Sequence, residues 1–236
     1  MLLHCESEPV TARGAAARAA AWLPAGTLES LFELNEFALA LLADEAALQS
    51  VAANPLLRQV AALRGVLGEM AWRRAAACPY LLVDAGFADP RRWQPAQGEV
   101  NDVGPAVAAG FFTVPGVIAL SRLVLTYAWH LARAESAAAR LLLGMPGAVA
   151  ALLARCTLRR VQQLAEAHPE WLTPRWPSRV AVWRELLLTA AGGESLALER
   201  VRLRGLTLMA AESRLACGAG RVLPRPPSAR ELDAGG

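Results

Sequence analysis

What most constrains this chain is a string of apolar stretches at helical spacing, each opened or closed by a proline, a glycine or a capping side chain. Thr27 begins the first, where Leu28, Leu31, Leu34, Phe37 and Leu41 give a broad apolar face that runs to about Gln49. Asn54-Pro55 is an N-cap followed by a proline at the first helical position, and it predicts a second helix to about Gly68. Trp72 to Cys78 makes a further short turn. The run Pro79 to Asp84 is apolar throughout and reads as strand-like or buried extended chain. Asp89-Pro90 repeats the cap-then-proline signature ahead of Trp93.

After a stretch rich in Gly, Pro, Asn and Asp, the pattern resumes with a helix from Pro115 to about Ala134, continued by Ser136–Leu143. Gly144 stops it, and Pro146 restarts the chain for a helix to Ala154. Thr157 caps a helix to about Ala167, and Ser178 is expected to cap another that Gly192-Gly193 ends. The period then changes. Val201 and Leu203 alternate with Arg200, Arg202 and Arg204, which favours a strand, although Leu198, Val201, Gly205 and Leu208 fit a helix about as well. The fold class predicted is mainly α: a compact, bundle-like multi-helix domain with a short strand or hairpin near the C-terminus. Its parts are a loose lead-in over 1–25, a helical half over 26–93, a linker over 94–110, a second helical half over 111–217 packed on the first, and a disordered tail over 218–236.

Composition narrows the functional classes. At 236 residues and 55% hydrophobic, with mean hydropathy +0.30, the chain can bury a large core, and much of its apolar content is helix-favouring alanine and leucine. All 24 basic residues are arginine, and the net charge of +3 is too small to demand a nucleic-acid partner. Val103 to Ser121 carries no charge over 19 residues, but Gly104, Pro105, Gly110, Pro115 and Gly116 break it, so a buried segment is expected in place of a membrane span. The opening MLLHCESEPV lacks a basic stretch followed by an apolar one, and no secretory leader is expected. Cys5, Cys78, Cys156 and Cys217 lie at least 61 residues apart, which predicts reduced thiols in a cytosolic protein.

Reactive chemistry has little to stand on. His4, His130 and His168 are scattered with no second ligand at metal spacing, so no metal or cofactor is expected. The absence of lysine removes Schiff-base and phosphate-loop chemistry, and no nucleophile motif is present. The chain reads as a non-enzyme without a small-molecule substrate. What stands out is Trp171, Trp176 and Trp183 interleaved with Arg175 and Arg184. Large aromatic anchors beside planar cations serve both cores and protein interfaces. These tryptophans therefore either pack the C-terminal helices or lie on a docking face with Arg175 or Arg184. Arg159, Arg160, Arg200, Arg202 and Arg204 form a solvated face or meet an anionic partner.

In their order, these features resemble the SctK (YscK) family of type III secretion injectisomes. The resemblance is carried by Leu120 to Leu125, Thr157-Leu158-Arg159-Arg160-Val161, Pro174-Arg175-Trp176, the Trp183 helix and the Val201–Leu208 run. It covers about a hundred residues, and Leu34 to Leu39 adds a faint echo in the first half. It implies a helical cytoplasmic adaptor at the inner face of the inner membrane. Such an adaptor links the ring protein SctD to the pod protein SctQ near the ATPase regulator SctL. A shorter resemblance, over Leu143-Gly144-Met145, Leu153-Ala154, Thr157-Leu158 and Leu164 to Glu166, is to FlhD, a helical transcriptional regulator that binds DNA with a partner subunit.

Overall fold

The computed structural model describes residues 23, 26–48, 54–93 and 110–219. The first long apolar face becomes α1, Thr27–Leu48. Asn54 then accepts the backbone N–H groups of Leu56 and Leu57, at 2.9 and 3.5 Å, and starts α2, Pro55–Arg64, as the cap-proline pair predicts. This helix stops one turn short of the expected Gly68, and α3, Glu69–Ala76, replaces the short turn expected from Trp72. Extended chain follows to β1, Val83–Asp84, and a single 3-10 turn, Pro90–Trp93. The expected linker lies outside the described residues up to 109, as do the lead-in other than Leu23 and Gly26 onwards.

Four helices fill the middle of the chain: α4, Val117–Ala134; α5, Ser136–Leu143; α6, Gly147–Arg155; and α7, Leu158–Ala167. Gly144 ends α5 in the left-handed conformation, and Thr157 caps α7 by accepting the Arg160 N–H at 3.2 Å. A 3-10 turn at Pro169–Trp171 leads to β2, Thr173–Pro174, then α8, Val180–Gly192, and α9, Ser195–Ala219. The two short strands pair antiparallel, Val83 with Pro174 and Asp84 with Thr173. Among the described residues the fold is thus nine helices around one two-stranded ladder. None of these helices is long and apolar enough to cross a membrane.

One open alternative is decided and two expectations need correction. Of the strand and helix readings of the run 200–208, the helix holds: the run is the interior of α9. Its buried positions are Leu198, Val201, Gly205 and Met209, spaced by three and four, whereas Leu203 is 61% exposed. Burial on one helical face outweighed the alternation. Ser178 does not cap α8: the carbonyl of Trp176 takes the Arg179 N–H at 2.9 Å, and this tight turn moves the helix start to Val180. The C-terminal helix also continues to Ala219, past the expected start of the tail, whose remaining residues 220–236 lie outside those described.

The halves share one core. α1 packs on α2, α3 and α4; α2 and α3 also meet α8; α4 lies along α7; and α9 covers α8 and touches α5. Asn35, fully buried in α1, organises the crossing. Its Nδ2 donates to the carbonyls of Ala76 at 3.0 Å and Tyr80 at 2.9 Å, and its Oδ1 accepts the Leu82 N–H at 2.8 Å. Glu45, ten residues on, does the same for the returning chain by accepting the N–H groups of Thr113 and Val114. Asn35→Leu keeps the branched shape but takes the side-chain partner from the buried Tyr80 carbonyl and Leu82 N–H, while the Ala76 carbonyl keeps the Cys78 N–H at 2.7 Å. It is expected to lower the unfolding free energy by about 2–4 kcal/mol, read as a lower urea midpoint at unchanged slope.

Candidate interaction site

The turn between β2 and α8 holds Arg175 and Trp176 of the residues singled out in the sequence, with Trp171 in the 3-10 turn before it and Trp183 and Arg184 on α8 after it. Arg175 follows β2, and its backbone N–H donates to the Leu82 carbonyl at 2.8 Å, extending the ladder by one bond. Its side chain runs inward. Nε donates to the Leu81 carbonyl at 2.8 Å, and one terminal nitrogen donates to Leu143 at 2.9 Å and Val83 at 3.3 Å. Gly144 stands beside this guanidinium, where a Cβ would meet it at 3.0 Å, so the left-handed glycine that ends α5 also makes room for the arginine. The Trp183 indole closes the unit from α8 by donating to the Arg175 carbonyl at 2.7 Å.

Burial pushes the Arg175 guanidinium below the usual arginine range, while the charges of Asp84 and Glu212 oppose that shift. Guanidinium remains charged in such settings, and here its nearest satisfied contacts are neutral carbonyls. Trp176 carries local strain. It sits at φ 53°, a left-handed conformation costing about 1–2 kcal/mol for a residue with a side chain, and its buried indole N–H has no hydrogen-bond partner among the described residues. Its ring packs on Tyr80, centroids 5.8 Å apart. A cleft of about 420 Å³ opens beside it, lined by Asp84, Arg179, Met209, Glu212 and Ser213 among others.

The five candidate residues therefore divide. Arg175, Trp176 and Trp183 are core, at 6%, 7% and 3% exposure, and the packing alternative describes them. Trp171 is half-buried and Arg184 exposed. Trp171 ends the 3-10 turn as the centre of an aromatic cluster. Its ring stacks on His168 at 4.2 Å and 4°, meets Trp93 edge-on at 5.7 Å, and has the Arg92 guanidinium 5.6 Å from its centroid. Arg184 shares its face of α8 with Leu188, one turn on and 40% exposed.

Sequence reading missed two features. The Arg92–Trp171 contact joins residues far apart in the chain, and nothing local announces it. By contrast, Arg133 lies 4.8 Å over the Trp129 ring, and that pair at i and i+4 on one helix was visible as a spacing. Of the arginines placed on a solvated face, Arg202 turns inward to donate to the Arg74 carbonyl at 3.0 Å, and Arg204 pairs with Glu185 at 2.6 Å. The Cys78 thiol is pushed up to about 11, chiefly by burial, and stays neutral. No cluster of metal-ligating side chains occurs among the described residues. Compared with models of protein families, with curated proteins and with solved structures, the chain matches none of them.

Proposed function

We propose that this chain is a non-enzymatic adaptor of a bacterial type III secretion injectisome. In this reading it sits in the sorting platform at the cytoplasmic face of the inner membrane, between an SctD-like ring protein and an SctQ-like pod protein, near an SctL-like ATPase regulator. The observation that carries the reading is that the segments resembling the SctK family are built into one another. Leu120 to Leu125 lie in α4, and Thr157 to Val161 open α7, which packs along it. Pro174-Arg175-Trp176 forms the turn locked by Trp183 of α8, and α9, with Val201 to Leu208, covers that helix. A resemblance scattered over a surface would carry less weight than one whose parts form a single scaffold.

On that scaffold, Trp171 with Arg92, and Arg184 with Leu188, supply half-exposed aromatic, arginine and aliphatic groups of the kind that anchor interfaces. The test is co-purification of the full chain with SctD and SctQ homologues. Trp171→Ala combined with Arg184→Ala is expected to reduce recovery of at least one partner by about tenfold, compared at a temperature where the double variant is folded, since loss of the ring's packing on His168 and Trp93 lowers the unfolding midpoint. Recovery equal to wild type would remove these residues from the interface. A chain that captures neither partner but retards promoter DNA in a mobility assay would overturn the adaptor and favour the FlhD-like regulator.

A further inference from the structure

The C-terminal half carries a second exposed feature, and it is electrostatic. Between Val117 and Ala167 six arginines stand against two carboxylates, Glu135 and Glu166, and Arg122 already pairs with Glu166 at 2.7 Å. Three helix ends meet where the excess gathers. The Trp129 indole in the last turns of α4 donates to the Cys156 carbonyl, at the end of α6, at 2.8 Å, and Thr157 then caps α7. Arg133 stacks on the Trp129 ring; Arg155 closes α6; Arg159 and Arg160 open α7. Burial raises the Cys156 thiol, and the charge of Arg160 opposes it, which puts that arginine beside the same carbonyl junction.

All four arginines are exposed, and none makes an ion pair among the described residues. Two of them occupy the first turn of a helix that has no acidic residue there, a place where the helix dipole disfavours cations. Leu158, 40% exposed, lies among them.

We infer that this corner, formed by Arg133, Arg155, Arg159, Arg160 and Leu158, is the docking surface for an acidic segment of a partner protein. Guanidinium groups take carboxylates in paired hydrogen bonds, and one of them is already oriented by an aromatic face. The apolar Leu158 and the half-buried Trp129 suit a polypeptide whose carboxylates are interleaved with aliphatic side chains. A phosphate backbone gains nothing from them. The whole chain carries only +3, too weak a field to gather a long polyanion over the four arginines available. The inference rests on this geometry and does not depend on the injectisome assignment.

The test uses the full chain and a fluorescein-labelled peptide of repeating Asp-Glu-Leu units, followed by fluorescence anisotropy. A duplex DNA of matched charge and phosphatidylglycerol vesicles serve as rival probes. The peptide is expected to bind, and binding should weaken as salt is raised from 50 to about 300 mM. Reversing Arg133, Arg155 and Arg160 together to Glu should weaken it by more than about thirtyfold. Reversing Arg58, Arg200 and Arg214, exposed arginines on α2 and α9, should change it less than about threefold. Equal loss in both triple variants, tighter binding of DNA or vesicles than of peptide, or no peptide binding by the folded wild-type chain would each overturn the proposal. Should the first triple variant fail to fold, Leu158→Asp alone is expected to weaken the peptide at least fivefold, about 1 kcal/mol, and an unchanged affinity would count equally against it.

Discussion

Gly205→Ala is expected to destabilise this protein by about 3 kcal/mol, although alanine is the better helix former by about 1 kcal/mol. Gly205 lies inside α9 on its buried side. A Cβ built there falls on the hydroxyl, Cζ and Cε1 of Tyr80, all well inside van der Waals contact. Tyr80 has nowhere to go. It is 1% exposed, its ring packs on Trp176, and its carbonyl is held by Asn35. For a chain of this size the loss corresponds to a melting temperature lower by about 6–12 °C. The cause can be isolated by a double-mutant cycle. In a Tyr80→Ala background the same glycine substitution should be neutral or stabilising, because the collision is gone and helix propensity is what remains. A higher melting temperature for Gly205→Ala in the wild-type background would show that α9 does not rest on Tyr80 in this way.

Arg175→Met is expected to cost about 3–5 kcal/mol, the second large effect. The substitution preserves much of the length and removes the charge, but it leaves the carbonyls of Leu81, Val83 and Leu143 with fewer donors in a dry interior. Those carbonyls belong to the chain at the start of β1 and to the end of the Ser136–Leu143 helix, so the loss loosens both segments together with the turn that carries Arg175. Arg175→Lys should recover less than half of the stability, because a single ammonium on a flexible stem cannot span carbonyls set around a planar fork. The readout is a urea titration followed by tryptophan fluorescence, to which Trp176 and Trp183, both beside this turn, contribute directly. Equal midpoints for the lysine variant and wild type would mean that charge matters here and fork geometry does not.

The two substitutions concern the same junction from opposite sides, and they show where sequence reading succeeded and where it stopped. Asn54-Pro55, Gly144 and Thr157 each announced a helix boundary that the structure contains, because capping is settled within three or four residues of the cap. The extended apolar run ending at Asp84 was legible for a similar reason, since continuous apolar character leaves little but burial. The run from Arg200 to Leu208 was not. Alternation and helical spacing coexist in it, and only the presence of Tyr80 and α8 beneath one face selects the helix.

The candidate site repeats that division. Interleaved tryptophan and arginine were visible at once, but whether such residues face inward or outward is written elsewhere in the chain. Arg175 is core because Leu81 and Val83, more than ninety positions earlier, present carbonyls to it. Trp171 remains at the surface because the neighbours it finds, Trp93 and His168, cover only part of its ring. The order and limits of most helices and the helical class of the fold were thus determined by the amino-acid sequence alone, since each depends on interactions a few residues long. Which arginines are structural and which remain free to meet a partner was decided by the tertiary fold. A charged side chain becomes core or surface according to the distant backbone that surrounds it.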